Sequence, residues 1–475
     1  MTGALLPALV VWLATPAPGA PDHPLDLIPA DSLLCWKGCP FPDTEQKPAG
    51  PSPLATLIDL GTRIAGSPLK PAQQMTLRIF ETLGAVVHYP FAIALIDARA
   101  RPAGADARGS KVAQLRIAAV VRTDGRSEPF RRIIQKVVNE QTDAGVARLE
   151  ARTAGRWRYQ ELRDARLPEW CVIAWGELDE HFVIALGEGV WPLIAAVAEG
   201  QVQALSGDEW VSAIRRQRSE EPLIEVIAAT QAIRERLDPF VQGRATAFFE
   251  AWGDSDTQRA FWELGFVERA LFCTASYRRG ENTVRRIYAN PDFRDERFLK
   301  TVPPDSRYAV YRIEVPVFLP RLIRSFYATR GAEERKAAAE LWAQIQARLG
   351  INAERDALAH LGDHIVLHNY PPHPLRLPLA FTSLIEIRDE PAQVRGTLEA
   401  LCKAWQEGLE KAAEQTGSPN PTQLQRDRDG IWYIQFGPVA SLAWTFTDRF
   451  IVTSWSPAAL REYLDKAGPR IGRRD

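Results

Sequence analysis

Short apolar runs bounded by turn residues recur along the chain. Leu33–Lys37, Val86–Ile96 and Ala113–Val121 read as β-strands, as do four later runs around Arg148–Thr153, Arg156–Leu162, Cys171–Gly176 and Phe182–Leu186. Between them, Leu54–Ala65 and Ala72–Leu83 carry apolar residues at helical spacing, with Gly66 and Gly84 as stops. Arg99–Ser110 is polar and contains glycine, so it reads as a hairpin tip. Pro129 suits the first turn of a helix, where its missing N–H costs nothing. The Ala-rich stretch Trp191–Ala198 closes this part as another helix. Consecutive strands with short turns predict antiparallel pairing. Helices interrupting them predict an α+β layer arrangement.

The C-terminal third repeats this plan. Tyr308–Val315 is an opening strand, followed by helices at Glu333–Leu349 and Ala353–Leu361, which Gly350 and Gly362 stop. Phe381–Ile387 is a strand, Pro391–Gln415 a long helix, Ile431–Phe436, Ser441–Phe446 and Phe450–Ser454 strands, and Pro457–Lys466 the closing helix. Local sequence repeats too. Leu27-Ile28-Pro29-Ala30-Asp31-Ser32 matches Thr301-Val302-Pro303-Pro304-Asp305-Ser306, Glu128-Pro129 matches Glu390-Pro391, and Trp157 and Trp175 match Trp432 and Trp444. The offset of roughly 260–275 residues far exceeds the ~20–50 of solenoid repeats, so a whole unit is duplicated.

Between the copies, residues 206–300 hold a short helix near Trp210, a strand at Leu223–Ile227, a longer helix running to about Trp252 and a hairpin of Phe266–Tyr277 with Thr283–Ala289. These strands have the length to extend either sheet. The expectation is therefore an α+β protein with two pseudo-repeated halves, 20–205 and 301–468, each a mainly antiparallel sheet covered by helices. An α/β segment connects them, a leader occupies 1–19 and a tail 469–475.

The layout resembles a family of exported bacterial proteins classed only as a domain of unknown function. Its members open with a Pro-Ala-Asp-Ser/Thr strand after a signal peptide. A strand then runs into a proline-started helix, as in Ser383-Leu384-Ile385-Glu386-Ile387-Arg388-Asp389-Glu390-Pro391. They end on a strand-plus-helix closure like Thr453-Ser454-Trp455-Ser456-Pro457-Ala458-Ala459-Leu460. The resemblance covers most of the chain after the leader, rests on loose structural motifs, and implies export but no activity.

Composition narrows the picture only slightly. The net charge is −1, with 58 basic and 59 acidic residues, so no basic excess marks a nucleic-acid groove and no acidic tail stands out. Arginine outnumbers lysine, as a GC-rich genome dictates; clusters such as Arg215-Arg216-Gln217-Arg218 are too scattered for an anion-binding surface. The apolar run Ala4–Ala14 is too short to span a bilayer, and Ala17 and Gly19 make a small-x-small cleavage site after Gly19, although no Lys or Arg precedes the run. This predicts an exported chain, periplasmic or extracellular, with no transmembrane segment after the leader. Of five cysteines, Cys35 and Cys39 are close enough in sequence to pair, whereas Cys171, Cys273 and Cys402 sit in apolar segments as small buried hydrophobes.

The candidate chemistry is sparse. His360, His364 and His368 are spaced by four, with Asp363 among them and His373 beyond. On a strand starting at Asp363, His364, Val366 and His368 share a face while Ile365 and Leu367 point into the core. His364, His368 and Asp363 are thus a candidate zinc set, against the plainer reading of a solvated sheet face. The repeated tryptophans offer an aromatic platform for a sugar or peptide, against the plainer reading of packing. Asp31 and Asp305 match in position but suit the turn before a strand. No G-x-S-x-G, H-E-x-x-H, phosphate-loop or G-x-G-x-x-G pattern occurs, and Gly187-Glu188-Gly189 reads as a turn. The leading expectation is a non-enzymatic binding or scaffolding protein of the cell envelope, with an envelope protein or glycan as partner. The alternatives are a metal-assisted hydrolase using the His360–His368 region, and a glycan or peptide binder using exposed tryptophans.

Overall fold

The computed structural model describes residues 24–39, 86, 89–101, 111–142, 147–165, 167–241, 244–252, 255–289, 295–304, 306–372, 381–416, 424–435 and 441–467. The leader 1–19, the helices expected at Leu54–Ala65 and Ala72–Leu83, nearly all of the Arg99–Ser110 tip, Asp305, His373 and the tail 469–475 lie outside the described residues.

The strands form one sheet of eighteen. In chain order they are β1 (Leu34–Gly38), β2 (Phe91–Arg101), β3 (Lys111–Arg122), β4 (Ala147–Ala154), β5 (Trp157–Asp164), β6 (Val172–Leu178), β7 (His181–Leu186), β8 (Ile224–Ala228) and β9 (Arg259–Val267). There follow β10 (Ala270–Arg279), β11 (Asn282–Ala289), β12 (Tyr308–Arg312), β13 (Leu361–His368), β14 (Thr382–Ile387), β15 (Leu424–Arg426), β16 (Trp432–Gln435), β17 (Ser441–Phe446) and β18 (Phe450–Ser454). One flank pairs in the order β4-β5-β6-β7-β3-β2-β1. The other pairs in the corresponding order β15-β16-β17-β18-β14-β13-β12. Between them run β8, β9 and β10: β8 pairs with β1, β9 with β8, and β10 with β9. β10 then meets β12 at a single parallel bridge, Ala270 to Tyr308, while its outer half pairs with β11. All other ladders are antiparallel.

The expectation of two helix-covered sheets is therefore corrected. The middle segment is not a separate connector. Its strands pair with the inner edge of each flank and fuse both into one sheet. Sequence also misplaced some elements. β9 went unread because its turn into β10 uses Glu268 at φ 53° rather than a glycine. The helix Val315–Ala328 was hidden by Pro316 and Pro320. The helix expected over Ala353–Leu361 is only Ala353–Asp356 and a short 3-10 turn before β13 begins.

The repeated residues build repeated geometry. The Ser32 hydroxyl donates to the Pro29 carbonyl (2.8 Å), and the Ser306 hydroxyl donates to the Pro303 carbonyl (2.6 Å). Each bond fixes the turn that leads into an opening strand. The closing helices share a burial pattern as well: Val190, Trp191, Ile194 and Ala195 in Val190–Ala198, and Ala459, Leu460, Tyr463 and Leu464 in Pro457–Ala467. That i, i+1, i+4, i+5 stripe packs one helical face on the sheet. Trp191 stacks on Tyr159 with centroids 5.2 Å apart. Gly38 has a steric role: a Cβ there would lie 2.4 Å from the ring of Phe91, its cross-strand partner.

A buried row of polar side chains crosses the centre of the sheet. Lys37 on β1, Glu225 on β8, Glu263 on β9 and Thr274 on β10 are successive cross-strand neighbours on one face, all nearly or fully buried. Lys37 Nζ lies 2.8 Å from Glu225 Oε1, Arg215 Nε donates to Oε2 at 3.0 Å, and Arg218 Nη1 donates to Oε1 at 3.1 Å. Asp208 caps the helix Glu209–Arg216 that carries Arg215. Burial pushes the Glu225 carboxyl up, but the attraction of Lys37 and Arg215 overrides it and holds the group at about 2. Burial also raises Glu263, which receives one hydrogen bond, from the Thr274 hydroxyl at 3.1 Å. Removing a partner from such a pair strands a buried charge. Glu225→Ala leaves Lys37 with only the exposed Glu221 at 3.7 Å. The expected loss is about 3–5 kcal/mol in urea unfolding. A loss under about 1 kcal/mol would mean that Lys37 reaches water and the pair is not sealed.

Candidate functional site

The histidine strand does not assemble a metal site. His364 and His368 lie four residues apart on β13, and at about 3.3 Å per residue their backbones are ~13 Å apart. Zinc needs each ligand nitrogen within about 2.0–2.1 Å, so one ion does not reach both. Asp363, on the opposite face, accepts from Arg388 at 2.8 Å. His364 Nδ1 sits 3.2 Å from Glu386 Oε2, with its ring 4.6 Å from that of Phe298. His360 pairs with Asp389. Among the described residues, no three His, Cys, Asp or Glu side chains converge to hold a metal ion.

His368 is fully buried, its ring 4.7 Å from that of Tyr463, and its Nδ1 accepts from the Tyr370 backbone N–H at 3.3 Å. The face expected to meet solvent instead carries Val366 and His368 at zero exposure, beneath the closing helix. A strand's pattern gives two faces but not what covers them.

The cysteines are all free. Cys35 lies within β1 and Cys39 just beyond its end, a near-extended separation of about 13 Å that a disulfide does not span. Burial raises both thiols.

The tryptophans do converge. The helices Ala332–Leu349 and Pro391–Thr416 and strands β17 and β18 enclose an open cleft of about 380 Å³. Trp342 and Ile345 come from the first helix, Leu398, Leu401, Cys402 and Trp405 from the second, and Trp444, Phe446 and Ile451 from the sheet. No charged or amide side chain lines it. Trp342 is 42% and Trp405 49% exposed. Burial pushes the Cys402 thiol to about 11, so it is a protonated apolar wall at neutral pH. The helix Ala332–Leu349 buries none of its described side chains. The pair Arg348–Glu407 ties it to the second helix. Sequence singled out Trp444 but missed Trp342 and Trp405. The available signal was the spacing Leu398, Leu401, Trp405, one stripe of a long helix.

On the first flank the helix Glu128–Thr142 presses Phe130, Ile134 and Val138 into a core cluster with Phe182, and Trp175 packs against it. Phe130 stacks on Phe182 at 5.6 Å. A second depression, about 400 Å³, lies near Gln231, Glu235 and Asp238. Its polar groups are engaged locally: the Gln231 amide donates to Glu235 at 3.0 Å, and Asp238 accepts the Thr246 backbone N–H at 2.9 Å. Among the described residues, the tryptophan cleft is concave, apolar and open, the character of a ligand pocket. No helix among the described residues is long and apolar enough to cross a membrane.

Comparison with protein-family models, with curated proteins and with solved structures finds no match.

Burial holds the folded His368 imidazole down at about 3, against an ordinary 6.5. Over that window the unfolded chain binds a proton that the folded chain does not. Stability is therefore full above about pH 6.5 and falls as pH drops toward 3. Between about pH 7 and pH 5 this one group removes about 2 kcal/mol. Urea unfolding of His368→Leu is expected to lack that increment. Equal pH slopes for the two proteins would show that another group carries the effect.

Proposed function

We propose that the chain is a non-enzymatic binding protein of the cell envelope that takes bulky apolar side chains of a partner polypeptide into the tryptophan cleft. The carrying observation is the cleft itself. On the second flank Val394 of the long helix packs on Ile451, and beyond that packed patch three tryptophans border an open apolar space of about 380 Å³. Indole rings bury much apolar area at low conformational cost and dominate binding hot spots. The export reading draws on the Ala4–Ala14 run and its small-x-small site.

The lining favours a polypeptide over a glycan. A sugar stacks on indole faces, but it also needs polar partners for its hydroxyls, and the cleft walls hold no charged or amide group. The hydrolase reading has lost its residues, because His364, His368 and Asp363 face three different neighbours.

Two probes test the reading: a synthetic amphipathic helix of leucine and lysine, and the dye 1-anilinonaphthalene-8-sulfonate. Both are expected to bind the folded chain saturably, the peptide with a shift in tryptophan emission. Trp405→Ala is expected to weaken the peptide about 30-fold, the size of a ~2 kcal/mol hot spot. Cell-wall glycan fragments are expected to give no response. Saturable glycan binding in place of peptide binding, or peptide affinity untouched by Trp405→Ala, would overturn the proposal.

A further inference from the structure

Among the described strands three edges are unpaired, and they differ. β15 is only three residues long. β11 leaves β10 through a register shift between Cys273 and Thr274 and carries the adjacent Arg285 and Arg286. Both are poor templates for another strand. β4 is eight residues long, has no glycine or proline, and pairs with β5 without interruption from Ala147–Asp164 to Ala154–Trp157. No described strand covers its outer edge, and Arg148 through Thr153 are all exposed. Its outward N–H and C=O groups are a ready template for a further strand.

We propose that β4 pairs antiparallel with β4 of a second copy of this chain, about a two-fold axis at Ala151. The charges choose both partner and register. In this register Glu150 faces Arg152 of the partner subunit, Arg152 faces Glu150 of the partner subunit, and Leu149 faces Thr153 of the partner subunit. A shift that centres the pair on Glu150 sets Glu150 against itself and Arg148 against Arg152, which like-charge repulsion disfavours. Centring on Leu149 also matches Arg148 with Glu150, but it aligns only Ala147–Ala151, against Arg148–Ala154 for the Ala151 register. Within one chain Arg152 already bonds Glu150 (2.7 Å) and lies 3.2 Å from Glu161, so the side chains that would bridge the copies are held beside the edge. An axis through Ala151 normal to the sheet keeps each face continuous across the pair, so the helical layers of the two copies stay on their own sides. Charged side chains commonly guard an edge against pairing; on β4 their order makes the edge complementary to itself.

Sedimentation equilibrium of the full chain over a wide concentration range tests this. The wild-type chain is expected to form dimers. Glu150→Arg replaces two opposite-charge contacts with two like-charge contacts and is expected to raise the dissociation constant about tenfold or more. Glu150→Arg with Arg152→Glu restores the complementarity and is expected to recover the dimer. Residues 150 and 152 are both exposed, and Glu161 keeps Arg163 at 2.7 Å when Arg152 becomes Glu; circular dichroism and urea unfolding check that both variants stay folded. A wild-type chain that stays monomeric, a Glu150→Arg chain that dimerises as well as wild type, or a double variant that does not recover would each overturn the proposal.

Discussion

A strand with an unpaired edge inside a protein must find a hydrogen-bonding partner, and this chain's architecture follows from that requirement. Each flank ends on an inner strand, β1 or β12, whose outer N–H and C=O groups face the middle of the molecule. The intervening segment supplies β8, β9 and β10 to pair with them. The contact to β12 is the thinner one, one bridge from Ala270 of β10 and one from Ala289 of β11. It is reinforced by packing: Leu264, Phe266 and Leu271 from the middle strands share a buried cluster with Ala309 and Tyr311 of β12. Arg269 adds hydrogen bonds to the carbonyls of Pro303 (3.3 Å) and Ser306 (3.1 Å).

Repeated connectivity has not produced repeated surfaces. Both flanks keep the turn that leads into the first strand, the strand order and the closing helix, because those features satisfy backbone groups and bury an apolar stripe. What sits over the other face is free to change. A helix of 15 residues packs Phe130 on the first flank, and one of 26 residues packs Val394 on the second and carries Trp405 over a cleft further along.

The most perturbed groups are elsewhere and have structural work. Glu225 is held down by Lys37 and Arg215 and His368 is kept neutral by burial, yet neither borders the cleft. Perturbed titration marks active sites when a cleft gives a reactant access. Here sealed side chains pin the centre of the sheet and the seat of the closing helix.

Local chemistry made much of the fold legible in the sequence. Pro129 and Pro391 mark helix starts because a first-turn proline loses no hydrogen bond, Gly350 ends a helix at φ 66°, and Ser441–Phe446 and Phe450–Ser454 are strands at the bounds their apolar runs suggest. The duplicated Pro-x-x-Ser turns are equally local. Pairing was not legible, since a strand's sequence states that it has two edges and two faces but not what meets them. The fusion into one sheet and the burial of His368 under Tyr463 were decided by tertiary contacts. So was the cleft: Trp342, Trp405 and Trp444 are scattered over about a hundred residues and meet only because two helices cross one face of the sheet. Hydrogen-bond and rotamer preferences act over a few residues, whereas a binding surface depends on which distant segments the backbone's need for partners brings together.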